Sequence, residues 1–306
     1  MSRTLTRRPC TTGLSLLEML VALALSLTVC AAALALYQGS AVQAMQAIAA
    51  SQVNDDAQAA LELMRQHVEM AGYNPPRANR PTDAARNTVW AADSPVVRGC
   101  DALGNGANPG TLANWKCPAP TSTGADAIAV RYEADAYNTW PTAQGEPTQC
   151  LGGRIDPQTV SATTISAAGK AQTSGVNAYV AEHLFYVATA ARTGIRTLYC
   201  RPSNGTAQPM LENVEDLQIL YGVGPVQDGE AGTLAFLSAA EVERRGASAW
   251  AEVRAVRLCM VVRAGQAGTA DTTPQRDCQG ATLPATDRRL RRSHQVTWVL
   301  HNRLWP

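Results

Sequence analysis

The chain has 306 residues, a net charge of +1 and 46% hydrophobic residues, enough apolar content for one large core or two small ones. So balanced a charge does not point to a polyanionic partner, and nucleic acid is not suggested as a main ligand. The eight cysteines are spread along the whole length, and two of the four histidines lie more than one hundred residues apart from the other two.

Residues 1–13 (MSRTLTRRPCTTG) are short, polar and basic. They precede Leu14 to Tyr37, a predominantly apolar run about long enough to span a bilayer as a helix. No charged side chain occurs from Met19 to Asn54, so the only flanking positive charges, Arg3, Arg7 and Arg8, lie on the N-terminal side. That asymmetry predicts a cytoplasmic N-terminus, with everything after Tyr37 on the far side of the membrane. Glu18 is the exception within the run. A carboxylate inside a membrane helix costs roughly 2.5–3.5 kcal/mol at the centre and less near an end, and usually marks function. Glu18 lies five residues after Gly13. Were the chain cut between Gly13 and Leu14, the new α-amine and the carboxylate would stand about 6 Å apart along the helix axis. Packing copies with an axial offset then pairs one subunit's amine with its neighbour's carboxylate. Two plainer readings compete: a secretory signal peptide cut near Ala31–Ala35, or a signal anchor in which Glu18 is incidental.

Gly13-Leu14-Ser15-Leu16-Leu17-Glu18 resembles the prepilin motif of type IV pilins and type II secretion pseudopilins, with Leu14 where Phe is usual. The resemblance implies cleavage after Gly13 by a prepilin peptidase, N-methylation of Leu14, and a role for Glu18 in assembly.

Beyond the apolar run, Val42, Met45, Ile48 or Ala49, Val53, Ala57, Ala60 or Leu61, Met64 and Val68 recur every three to four residues. This predicts a helix with one apolar stripe, ending at Gly72 before Pro75 and Pro76. Its periplasmic half, residues 38–72, is expected to lie against a globular domain of residues 73–306. Residues 77–125 read as irregular loop. Strands are expected at Ala127–Glu133, Tyr179–Ala188, Ile195–Cys200, Leu217–Val223, Val253–Arg263 and Gln295–Leu300, several alternating as in half-buried antiparallel sheets. Ser238 and Glu241 have capping-box spacing for a short helix.

Cys100, Cys117, Cys150, Cys200, Cys259 and Cys278 follow the apolar run, an even number beyond a membrane anchor that reads as disulfides in an oxidising compartment. Zinc is the rival, but there is no C-x-x-C, and His67, His183, His294 and His301 read as scattered. Short loops close most easily, so the expected pairs are Cys100–Cys117, Cys150–Cys200 and Cys259–Cys278, with Cys30 a free thiol. No catalytic motif stands in its required context, and neither an enzyme, a cofactor nor a metal is indicated. The acidic group Glu212, Glu215 and Asp216 lacks the alternation of a calcium loop and reads as a solvated strand approach. The basic cluster Arg288 to Arg292 reads as a salt-bridged edge strand in preference to a DNA contact.

Three C-terminal blocks narrow the resemblance: Leu211 through Val223 (LENVEDLQILYGV), Trp250 through Arg257 (WAEVRAVR), and Arg288 through Arg303. They are similar, in order and spacing, to PilW-type minor pilins. The resemblance implies an α+β, type IV pilin-like fold, with a long N-terminal helix whose first half is transmembrane, packed on an antiparallel sheet domain. It further implies a single-pass protein of the bacterial inner membrane that passes into the pilus. Its partners would be other minor pilins, the major pilin, prepilin peptidase, inner-membrane lipid and a large tip adhesin, and its part the initiation of pilus assembly at or near the tip. A J-type pseudopilin of type II secretion is the alternative on the same scaffold. A secreted disulfide-bonded binding or enzymatic domain is the alternative from another class.

Overall fold

The computed structural model describes residues 13, 15–74, 94–105, 107–119, 124–165, 170–203, 205–227, 230–265, 275–283 and 287–304. The chain divides into two compact units, Met1–Ile48 and Ala49–Pro306. One helix, α1 (Leu16–Glu69), runs through the boundary. In the first unit it is long and apolar enough to cross a membrane, and every large apolar side chain from Leu16 to Leu36 is exposed. The expected stripe is buried only from Val53, through Ala57, Ala60, Leu61, Met64 and Val68. Val42, Met45 and Ile48, expected on the same stripe, are not part of the core.

The helix stops at Glu69, and Gly72 follows at φ +81°, a left-handed conformation that costs glycine little. The Gly72 amide donates to the Arg131 carbonyl, 2.9 Å, while Asn302 Nδ2 donates to the Glu69 carbonyl, 3.1 Å. The end of α1 is thus tied to the sheet and to the C-terminal segment.

The second unit is antiparallel throughout. The strands are β1 (Val97–Leu103), β2 (Ala125–Ala134), β3 (Gln158–Ile165), β4 (Ala171–Thr189), β5 (Arg196–Pro202), β6 (Gln208–Glu212), β7 (Val214–Val223), β8 (Val226–Gln227), β9 (Glu230–Ala231) and β10 (Ala235–Leu237), then helix α2 (Ala239–Arg244), β11 (Val253–Arg263), β12 (Gln275–Arg276), β13 (Thr282–Leu283) and β14 (Arg291–Val299). One sheet has the order β1-β2-β4-β5-β6, with β3 paired to the first half of β4; the other is β10-β7-β11-β14. The main core joins the buried stripe of α1 to Ile128, Val130, Phe185 and Leu198 of the first sheet and to Leu217, Ile219, Leu258, Met260 and Trp298 of the second. This is the α+β class expected, a long apolar helix with antiparallel sheets.

Each expected strand is present, and β11 has the expected bounds. The reading of 77–125 as loop is corrected by β1 within it; residues 77–93 lie outside the described residues. Gly99 and Asp101 break the alternation that marks a strand, and pairing with β2 supplies what propensity does not. Gly99 is required by packing: any Cβ there would run into the Tyr221 hydroxyl, which is buried beneath it.

Buried Asp126 on β2 ties the two sheets together. Its carboxylate accepts from the Ala102 amide on β1, 2.9 Å, and from the Ile219 amide on β7, 2.8 Å, and burial raises its pKa to about 7. Asp101 caps α2, accepting from the Ala239 and Ala240 amides at 2.8 and 3.0 Å. The Ser238–Glu241 capping box is complete as expected.

Candidate functional site: the helix start and the braced β domain

Ser15 and Glu18 sit where the chain enters α1. The Glu18 carboxylate accepts a hydrogen bond from the Ser15 amide, 3.0 Å. Geometrically this is the reach-back half of a capping box, which satisfies one of the amides that a helix start leaves unpaired. A carboxylate has about four lone-pair positions, so one such bond leaves room for a cationic donor from another molecule. Glu18 is thereby held close to the helix start by its own chain. Gly13 has open space around its α-carbon. Leu14 lies outside the described residues, as do residues 1–12 with Cys10.

The six cysteines of the polar region form three disulfides, Cys100–Cys117, Cys150–Cys200 and Cys259–Cys278, with Cα separations of 5.4, 6.5 and 5.7 Å. Cys30 is a free, exposed thiol on α1. Each bridge ties a sheet strand to a segment outside the regular ladder: β1 to residue 117, β5 to residue 150, and β11 to residue 278. Local pairing follows from loops that lie beside the strands they close.

The acidic and basic groups read separately from sequence meet in one ion-pair network. Arg291, at the start of β14, donates to Glu215 from Nε (2.6 Å) and Nη2 (3.0 Å), and to Asp287 from Nη1 (2.8 Å) and Nη2 (3.0 Å). Arg263 joins both carboxylates at 3.4 and 3.2 Å. The solvated reading of the acidic group is therefore corrected at Glu215, whose carboxylate is paired and mostly covered. Asp216 is engaged locally, accepting from the Leu217 amide and Gln218 Nε2. Because β14 is the edge strand of its sheet, Arg291 belongs to the salt-bridged edge that the sequence suggested.

Removing Arg291 leaves Arg263 as the cation facing Glu215 and Asp287 among the described residues. Arg291→Ala is expected to cost about 2 kcal/mol, below the figure for a fully buried pair because the carboxylates are partly solvated. The Arg291 hydrogen bond holds the Asp287 carboxyl near 2, below its usual 3.8. A lowered carboxyl pKa stabilises the fold above 3.8, and that contribution disappears as pH falls through about 2. Denaturant melts at pH 7 and pH 2.5 should differ less in the Arg291→Ala variant than in the parent.

Two of the four histidines, read as scattered, come together. His67 of α1 and His183 of β4 stand edge to face with ring centroids 4.5 Å apart, beside Tyr132 of β2 and Phe185 of β4. The signal was present in the periodicity: His67 falls three residues after Met64 on the buried stripe, and His183 alternates with Ala181 and Phe185 along its strand. Among the described residues there is no group of three or more His, Cys, Asp or Glu side chains able to hold a metal ion.

The family described as Type IV Pilus-assembly protein W (PilW) matches residues 184–302. No curated protein and no solved structure matches the chain significantly. The match begins in β4 and ends after β14, so it takes in β5 to β7, α2, β11 and the ion-pair network. The chain carries a PilW-type region over residues 184–302, consistent with a PilW-type minor pilin, and this supports a part in type IV pilus assembly.

Proposed function

We propose that the chain is a minor pilin that helps start type IV pilus assembly and sits at or near the pilus tip. The observation that carries the reading is the PilW match joined to one N-terminal apolar helix with Glu18 in its first turn. A leader ending at Gly13 is removed by prepilin peptidase, and the new terminus at Leu14 is methylated. The protein waits in the inner membrane with its N-terminus cytoplasmic and its disulfide-bonded domain periplasmic. It then enters the filament through helix packing with the other minor pilins and the major pilin. Its contribution is structural and not enzymatic; the β domain offers a braced surface to neighbouring subunits and to a large tip adhesin.

Deletion of the gene should remove most surface pili, and the intact chain should restore them. Immunogold labelling of the β domain on sheared pili should fall at filament ends. Label spread along the shafts, or full piliation without the gene, would contradict an initiating role at the tip. Loss of protein secretion with intact piliation would point to a pseudopilus subunit instead.

A further inference from the structure

The His67–His183 pair has no part in helix assembly or in disulfide bracing, yet it occupies the junction of α1, β2 and β4. One hydrogen bond fixes the tautomer of the His183 ring. A backbone amide can only donate, so the Cys150 amide, 3.3 Å from His183 Nε2, requires that nitrogen to be the acceptor. The proton of the neutral ring is then on Nδ1, which is buried and has no hydrogen-bond partner among the described residues. His67 Nδ1 lies 2.7 Å from the Tyr132 hydroxyl. His183 is fully buried and His67 is 7% exposed.

We propose that His67 and His183 form an acid-sensitive latch that fixes the last turns of α1 to β2 and β4 at neutral pH and releases them when the rings take up protons. A proton on His183 can enter only at Nε2, where it would oppose the Cys150 amide and break the hydrogen bond that the ring accepts. A proton on His67 would place a charge 4.5 Å, ring to ring, from His183.

Among the described residues no carboxylate is placed against either ring. Tyr132 of β2 and Phe185 of β4 face the pair, and the Cys150 amide comes from the loop before Ile155. The charged residues of the same strands, Arg131 and Glu133 of β2 and Glu182 of β4, flank Tyr132 and His183 and so point to the opposite faces by strand alternation. On α1, Arg65 is ion-paired with Glu62 and Glu69. From the C-terminal segment, Asn302 reaches the Glu69 carbonyl and Arg303 the Ala251 carbonyl. Burial accordingly lowers His67 to about 4 and His183 well below its usual 6.5, with His67 contributing to the latter.

The sign follows from the lowered values. Rings freed by opening bind protons below pH 6.5, while rings in the latch do not, so opening is favoured as pH falls from 6.5 towards 4. Two rings released together make the opening equilibrium rise up to about 100-fold per pH unit in that window. The latch concerns the β domain's own end of α1, so it stands or falls apart from the pilin reading.

Hydrogen exchange of the full-length chain in detergent, corrected for intrinsic rate, tests it over residues 61–71. Protection should fall by one to two orders of magnitude between pH 7 and pH 5.5, while α1 residues 20–35 stay unchanged. In the double variant His67→Asn, His183→Gln, which keeps an acceptor for each partner, the fall should shrink to a few-fold. Equal pH dependence in parent and variant would overturn the proposal. Should the variant fail to fold, imidazole NMR titration of the unaltered protein decides: both buried rings must stay neutral down to the pH at which protection is lost. A ring titrating near 6.5 in the closed state contradicts the latch.

Discussion

Glu18→Ala is expected to leave membrane insertion, leader cleavage and the three disulfides intact, and to remove most surface pili. Among the described residues Glu18 accepts from the Ser15 amide, an exposed interaction worth about 1 kcal/mol at most. Its loss frays one turn of a 54-residue helix and changes little else. In a packed bundle the same carboxylate would face a neighbour's α-amine without water, where charge pairing is far stronger. Crosslinking to partner minor pilins should therefore fall at least tenfold. Glu18→Asp should rescue partly, because the shorter side chain holds its charge back by one methylene. Glu18→Gln keeps the size and an acceptor oxygen for Ser15 but loses the charge. Full piliation with Gln would reduce Glu18 to a helix-capping residue. A tip subunit has nothing stacked above it, so the effect should be read in partner crosslinking as well as in pilus number.

The largest effect on folding is expected from the Cys150–Cys200 bridge. It closes a 50-residue separation, which in the chain-entropy treatment is worth about 4 kcal/mol. Both cysteines are buried in the main core, and the Cys150 amide is the donor to His183. Replacing the pair by alanine should lower stability by about 4 kcal/mol and loosen residues 139–155. The Cys100–Cys117 and Cys259–Cys278 pairs close separations of 17 and 19 residues, and each double alanine variant should cost about 3 kcal/mol. Equilibrium denaturation of the four proteins gives the order directly. A Cys150–Cys200 variant no weaker than the other two would mean that the surrounding core, and not the bridge, holds that region.

The periodic parts of the fold were legible in the sequence. The apolar run and its continuation gave α1 to within a few residues, because a 3.6-residue repeat survives over many turns. Strand β11 was read to its ends because Val253 to Arg263 is a mostly apolar, β-branched run punctuated by Arg254, Arg257 and Arg263, as suits a strand held between two neighbours, β7 and β14. What escaped was set by tertiary contact. Gly99 looks like a loop residue until Tyr221 fills the space beside it. Glu215 reads as solvated because Arg291, its partner, is 76 residues away in sequence. His67 and His183 lie 116 positions apart, and only the pairing of β4 with β2 under α1 brings them together. Pairing of neighbouring cysteines matches the three bridges because each ties a strand to a segment lying beside it, through a short loop at Cys100–Cys117 and Cys259–Cys278 and across the β3–β4 segment at Cys150–Cys200. The reading of Gly13, Leu14 and Glu18 rests on their spacing in the sequence alone, and the N-terminal measurement below tests it.

Pairing through Glu18 requires Leu14 to become the first residue of the mature protein, because only then is Glu18 the fifth residue, four positions beyond a free amine. Mass spectrometry of the N-terminal peptide from membrane-extracted protein measures this directly. The expected peptide begins at Leu14 and carries an N-methyl group, and Gly13→Leu should leave the leader attached. A mature terminus near Ala33, or an uncut chain in assembled pili, would contradict it.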